Sequence, residues 1–172
     1  SMAIAFNKLP WHIKVLFIFT LTLGVRLTYI WVQGTPKTLI GDASEYHAYA
    51  VNLVETGNYA DGKGHRAGRM PGYPLFLSFI YKFMGISWTA VLLFQCLLSA
   101  FTGLMLYRLA QELMGSPWSL WAGLIFALHY DSIAPVASVL TETLFNFLLT
   151  LSFLILYTKT GPPRLRLLLS GV

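Results

Sequence analysis

The sequence predicts an all-α, polytopic integral membrane protein, with four transmembrane helices and two short juxtamembrane helices in its first outer loop. Three observations predict it. Of 172 residues, 56% are hydrophobic and only 11% charged, against about 25% charged in an average soluble domain. Four stretches are long and apolar enough to cross a hydrocarbon core, which takes roughly 17–25 such residues as a helix. Between the first two lies a polar, glycine-rich stretch from Gly41 to Tyr81, opening Gly-Asp-Ala-Ser-Glu-Tyr. Chemistry belongs in that loop, and the remainder reads as the membrane frame holding it.

The first span, 15–32, is preceded by Lys8, His12 and Lys14. Tyr29, Trp31 and Val32 stand where a secretory signal would carry small residues for cleavage, so the span is expected to be retained. Arg26 lies inside it, two turns from the outer end. A charge at that depth costs about 2.5–3.5 kcal/mol on insertion scales and either snorkels to the headgroups or finds a partner. An acid of the outer cluster, Asp42, Asp131 or Glu142, is the partner on offer.

Asp42 to Thr56 has helical spacing, with Tyr46, Tyr49, Ala50 and Leu53 on one stripe. It is too short and too polar to span, so it should lie along the interface. Gly57 suits its C-terminal cap, and 58–72 reads as irregular. A second short helix, 74–84, carries Phe76, Phe79, Tyr81 and Phe83. The second span, 88–107, is uncharged. Gly115-Ser116-Pro117 then makes a turn, with Pro117 suited to the first position of the third span, 117–134. That span ends in His129-Tyr130-Asp131 and is broken by Pro135; the fourth, 136–157, has Thr141-Glu142-Thr143 near its start.

The whole is read as a single membrane domain, without internal repeats. Ser1 ahead of Met2 resembles the scar of a cleaved tag, and 165–172 reads as the opening of another apolar helix. The expectation is an N-terminal module of a longer protein. The net charge of +5 points to phosphate-bearing lipids and cytoplasmic flanks, since no arginine-rich helix or aromatic RNA platform accompanies it. Cys96 is the one cysteine and falls mid-membrane, so it staples nothing.

Loop charge sets an expected orientation. Lys8, Lys14, Arg108, Lys159, Arg164 and Arg166 crowd three short flanks, while Lys37, Lys63, Arg66, Arg69 and Lys82 spread over one long loop. The positive-inside rule then puts the N-terminus in the cytoplasm and the long loop outside, in a bacterial inner membrane. Asp42, Asp131 and Glu142 thereby gather at the outer face. Acids near the membrane normally face a cavity or a partner.

Each motif has a plain alternative. Asp42-Ala-Ser-Glu45 fits a capping box as well as a catalytic carboxylate. Glu142 in a first helical turn is favoured by the helix dipole alone. His129 and Asp131 are only two ligands, slight support for a divalent metal. Arg66 and Arg69 suit a phosphate clamp or ordinary headgroup contacts.

Together the residues match a pattern. Asp42-x-x-x-Tyr46-x-x-x-Ala50-x-x-Leu53-x-x-x-Gly57-x-Tyr59, followed by Arg69-x-Pro71-Gly72-Tyr73-Pro74-Leu75-Phe76-Leu77, resembles the first outer loop of the GT-C membrane glycosyltransferases. The likeness is to the branch that includes protein O-mannosyltransferases and the aminoarabinose transferase of lipid A. Thr141-Glu142-Thr143-Leu144-Phe145 is similar to that family's fourth helix. The resemblance implies two juxtamembrane helices in the loop and transfer of a sugar from a polyprenyl-phosphate donor to an acceptor on the non-cytoplasmic face.

By position it implies that Asp42 is the general base, that Arg69 or Arg66 holds the departing phosphate, and that Glu142 orients the acceptor, Asp42 or a basic partner. Glu45, Tyr46, Arg26 and Asp131 would support them. Direct displacement inverts the anomeric centre, so no covalent glycosyl-enzyme is needed. Ala43 departs from relatives that place a second acid there, and relatives have many more spans. Because a walled cavity is needed to position donor and acceptor, this stretch alone is expected not to turn over. Its expected partners are membrane lipids, the donor, and either a second copy or the remainder of a parent chain. A small transporter of lipid-linked sugars, or a non-catalytic scaffold, is the competing reading.

Overall fold

The computed structural model describes residues 8–61, 63–66, 68–116 and 118–157. Among them every regular element is helical: α1 (Trp11–Gln33), α2 (Asp42–Thr56), α3 (Gly72–Met84), α4 (Trp88–Leu113), α5 (Trp118–Leu128), α6 (Tyr130–Ile133), a 3-10 turn (Ala134–Ala137) and α7 (Glu142–Tyr157). Pro117, the basic residues 159, 164 and 166, the apolar run 165–172 and the first two residues lie outside the described set.

Two helices, α1 and α4, are long and apolar enough to cross a membrane. A third candidate exists only if α5 and the stretch to Ala137, bent by 71°, count as one span. Among the described residues, two or three of the four expected spans are thus candidates. The third breaks at His129, whose backbone is extended, six positions before the expected break at Pro135. Pro135 instead sits in the 3-10 turn. Ser138 is extended again, so the fourth helix starts at Glu142 rather than 136. The 16 described residues of α7 cover about 24 Å.

The frame is built on close approach of α1 to its neighbours. Phe19 meets Phe101 of antiparallel α4 with ring centroids 5.1 Å apart. A Cβ on Gly103 would stand 2.9 Å from Thr22 Oγ1, and one on Gly123 of α5 would stand 2.8 Å from Ile18 Cδ1. Side chains at these two glycines would push the helices apart, which is why small residues mark such interfaces.

Arg26 decides where α5 ends. It is fully buried and meets no acid, contrary to both sequence expectations. Its Nη1 donates to Ala127 O at 2.5 Å, its Nη2 to Phe126 O at 2.8 Å, and its Nε to Ser99 Oγ of α4 at 2.9 Å. Nη2 also reaches Ser132 Oγ at 3.0 Å, and the guanidinium carbon lies 5.0 Å from the Phe126 ring centre. The last carbonyls of a helix have no intrahelical donor, and a fork of five N–H groups satisfies several together. The cation also sits at the negative end of the α5 dipole.

The expected pair of short loop helices is present as α2 and α3, the second opening at Gly72. At 15 and 13 residues they are about 22 and 20 Å long. They pack on each other and on the first turns of α4 through Ala50, Tyr73, Leu77, Ile80 and Val91. His47 Nδ1 lies 2.9 Å from the Tyr81 hydroxyl. Burial lowers the His47 pKa, so at neutral pH the ring is uncharged and Nδ1 accepts when the proton is on Nε2.

Gln95, buried in α4, ties the two layers. Its Oε1 accepts from the Tyr73 hydroxyl at 2.7 Å, while its Nε2 donates to Ser138 O at 2.8 Å and Val136 O at 3.2 Å. The loop helices are thereby joined to the non-helical stretch that precedes α7.

Candidate functional site

The site is assembled from the start of α2 and the loop before α3. Gly41 is the residue that precedes α2, with φ 58° and ψ −135°, a conformation open to glycine, and no side chain caps the helix. The expected capping box is therefore not formed. Asp42 is already helical, so Asp42 and Glu45 lie three residues apart on one face of the first turn. Ala43 points the other way, into the core between α2 and α3. A second acid at position 43 would be buried there; Glu45 instead supplies the second carboxylate.

The loop that carries Arg69 is pinned by tyrosines of α2 and of the loop itself. Tyr49 and Tyr59 stack with centroids 4.8 Å apart. The Tyr59 hydroxyl donates to Arg69 O at 2.8 Å, and the Tyr49 hydroxyl donates to His65 O and accepts from Gly68 N, both at 3.1 Å. A Cβ at Gly68 would stand 2.8 Å from that hydroxyl, so glycine is what lets the loop close onto Tyr49. Asp61 accepts from the amides of Lys63 and His65 and folds the loop tip.

Arg69 thus arrives over the first turn of α2. Its Nη2 pairs with Asp42 Oδ1 at 2.5 Å and its Nε with Glu45 Oε2 at 2.6 Å, and its guanidinium lies 5.6 Å from the Tyr46 ring centre. About half of each carboxylate side chain is exposed, against 28% of Arg69. The hydrogen bond from Arg69 holds the Glu45 carboxyl below its ordinary pKa, and the same bond raises the already high pKa of Arg69. Because the folded pKa of Glu45 is depressed, its bond to Arg69 is fully present above the ordinary value of about 4.3 and is lost as pH falls through the folded value. An NMR titration of the Glu45 carboxyl should give a midpoint below about 4.3; a midpoint at or above it would rule out the pair in solution.

Four of the sequence candidates therefore meet: Asp42, Glu45, Tyr46 and Arg69. Arg66 is exposed and stands outside this cluster. Glu142 is exposed at the first position of α7 and shares a depression of about 260 Å³ with Asp131, Pro135 and Ser138. The Asp131 carboxylate is 85% exposed and 4.0 Å from His129 Nε2. Among the described residues no three His, Cys, Asp or Glu side chains converge to hold a metal ion. Arg26 serves the frame, as described above.

Tyr73, absent from the sequence candidates, packs against the loop cluster. Its ring meets Tyr46 edge-on at 5.3 Å. Burial raises its pKa most, and the charge of Glu142 adds to the effect. Gln95 was also missed, although a lone amide in an apolar stretch is a signal in itself.

A chain in Aquifex aeolicus (strain VF5), described only as an uncharacterized protein, is 28% identical over 137 residues. The match takes in 77% of this chain and 28% of that protein. The chain thus spans less than a third of the length of this relative. No protein-family model matches the chain, and no solved structure does.

Proposed function

We propose that the chain is a module of a membrane glycosyltransferase that passes a sugar from a polyprenyl-phosphate carrier to an acceptor hydroxyl, with inversion. The observation that carries this reading is Arg69 held between Asp42 and Glu45 at the half-exposed start of a helix that lies beside, rather than across, the frame. A base and an anion-binding group for the leaving phosphate stand within one hydrogen bond of each other. Loop charge and the positive-inside rule put this face outside a bacterial inner membrane, with the N-terminus in the cytoplasm.

In this mechanism the acceptor oxygen bonds to the anomeric carbon as the bond from that carbon to the phosphate oxygen breaks. The electron pair leaves with the phosphate, and the hydroxyl proton passes to Asp42. Arg69 stabilises the growing phosphate charge. Arg69 has N–H donors on Nη1 and Nη2 beyond the two given to the carboxylates, and an arriving carrier phosphate competes with Asp42 for Nη2 while Glu45 retains Nε. The exchange frees Asp42 at the moment it must accept a proton. Glu142, at the first position of α7, orients the acceptor.

Binding of a short polyprenyl phosphate to the purified protein tests this. Charge-assisted hydrogen bonds are worth about 1.5–3 kcal/mol, so Arg69→Gln should weaken binding by roughly tenfold to a hundredfold. Binding of the uncharged polyprenyl alcohol should not change. Equal phosphate affinity in wild type and Arg69→Gln would overturn the assignment.

A transporter of lipid-linked sugars is the second reading, favoured by the break at His129, because interrupted helices frame substrate sites in transporters. Following labelled sugar into acceptor, against movement of intact donor across vesicles, separates the two.

A further inference from the structure

Among the described residues, α7 buries Thr143 and Thr150 and leaves its apolar side chains on the outside of the frame. Elsewhere a buried helical threonine satisfies its hydroxyl within its own helix. Thr22 donates to Ile18 O at 2.7 Å, and Thr102 donates to Leu98 O at 2.8 Å. Such a bond needs a helical carbonyl four residues earlier. Thr143 is only the second residue of α7, so position 139 lies ahead of the helix and supplies no such carbonyl. The Thr143 Oγ1 is buried and has no hydrogen-bond partner among the described residues. Thr143 lines a cavity of about 10 Å³ with Ser99 and Thr102 of α4, Ser132 and Pro135 beyond the break, and Asn146 of α7. We propose that this cavity binds one water molecule, hydrogen-bonded to the Thr143 hydroxyl, which ties α7 to the break that Arg26 holds.

Size and lining select that occupant. A buried hydroxyl is costly to leave unpaired, so a polar group must meet it. The space is that of about one water-sized sphere. Headgroups, sugars, hydrated ions and a bare halide are all larger. A bare metal cation would face Arg26, whose Nε donates to Ser99 Oγ at 2.9 Å and whose Nη2 reaches Ser132 Oγ at 3.0 Å. A buried water makes about three hydrogen bonds, and the lining offers that number. Thr143 supplies its hydroxyl. Ser99 accepts from Arg26 and still has its own proton to give. Asn146 supplies an amide from the same face of α7, three residues on. Because Ser99 is also a partner of Arg26, the water extends the polar network of α1, α4 and the end of α5 to the first turn of α7. The site is independent of the transferase reading.

NMR of the whole chain in detergent, with threonine methyls labelled, tests the proposal directly. The Thr143 methyl should show a cross-peak to the water resonance. The methyl of Thr22, likewise buried but with its hydroxyl paired inside α1, should show none. No cross-peak at Thr143, or an equal one at Thr22, would overturn the proposal. Thr143→Val tests it a second way, through the sign of a stability change. Valine keeps the shape of the side chain and has nearly the same helix propensity. If a water occupies the cavity, the substitution takes away one of its partners. The unfolding midpoint should then fall by about 2–4 °C, the shift that loss of one hydrogen bond gives in a chain of this length. If the cavity is dry, the substitution removes an unpaired buried hydroxyl instead, and the midpoint rises. A midpoint that rises or stays the same would overturn the proposal.

Discussion

Arg26→Leu should lower the stability of the folded protein by about 3–5 kcal/mol, while making insertion of α1 easier. The two effects have opposite signs because they refer to different steps. Insertion of an isolated helix is relieved of a charge that costs about 2.5–3.5 kcal/mol. The folded state loses the donor for Ala127 O and Ser99 Oγ and one of the two donors to Phe126 O, which keeps a hydrogen bond from Ser132 Oγ, and each buried acceptor left unsatisfied costs about 1–3 kcal/mol. Two such acceptors sum to about 2–6 kcal/mol, a range that holds the stated loss, although the costs are not strictly additive. Arg26→Lys keeps the charge and three donors but lacks the planar fork, so it should fall between the two. Unfolding midpoints in mixed detergent measure the loss. Limited proteolysis between Leu128 and Ser132 reports whether the break has loosened. A leucine variant as stable as wild type would mean that the guanidinium does not hold the end of α5.

Asp42→Asn should reduce sugar transfer by about 10²–10⁴-fold, the usual contribution of a positioned base. The amide keeps the shape of the carboxylate and cannot accept the proton. Helix stability should not change, because Gly41 precedes the helix and Asp42 makes no cap to lose. Carrier-phosphate binding should be retained or rise, since a neutral amide competes less well for Arg69 than a carboxylate does. Transfer is to be measured in the full-length protein, with lipid binding alongside. An Asp42→Asn enzyme that transfers at the wild-type rate would remove Asp42 from the chemistry. Weakened lipid binding without loss of transfer would place it in donor recognition instead.

The short helices were legible because their signals are local. Asp42 to Thr56 shows an apolar stripe ended by a glycine, which takes φ 74° at position 57. The second begins in Pro71-Gly72 and carries aromatics at helical spacing, and its start was misplaced by only two residues. Their lengths alone exclude spanning. The third and fourth apolar runs were misread because hydropathy cannot distinguish a straight helix from one interrupted inside the frame. His129 and Ser138 lie in runs apolar enough to pass as spans, and what breaks them comes from outside the runs. Arg26 is about a hundred residues away from the carbonyls it satisfies, and Gln95 some forty from those it holds.

The candidate site divides along the same line. Composition and spacing singled out Asp42, Glu45 and Arg69, because charge beside long apolar stretches is costly unless it has a use, and Tyr46 entered only through the resemblance. They left open whether Asp42 caps its helix or faces a ligand, and which arginine of the loop matters. Tertiary structure shows that Asp42 does not cap its helix and that Arg69 is the arginine meeting the two carboxylates. Gly41 takes the preceding position and so releases the two carboxylates, while Tyr49, Tyr59 and Gly68 bring Arg69, and not Arg66, across to meet them. Membrane character was set by the sequence alone, since it follows from summed transfer free energies that do not depend on partners. Where the helices break, and which charges meet, depends on donors and acceptors distant in the chain, and only folding brings those within hydrogen-bond reach.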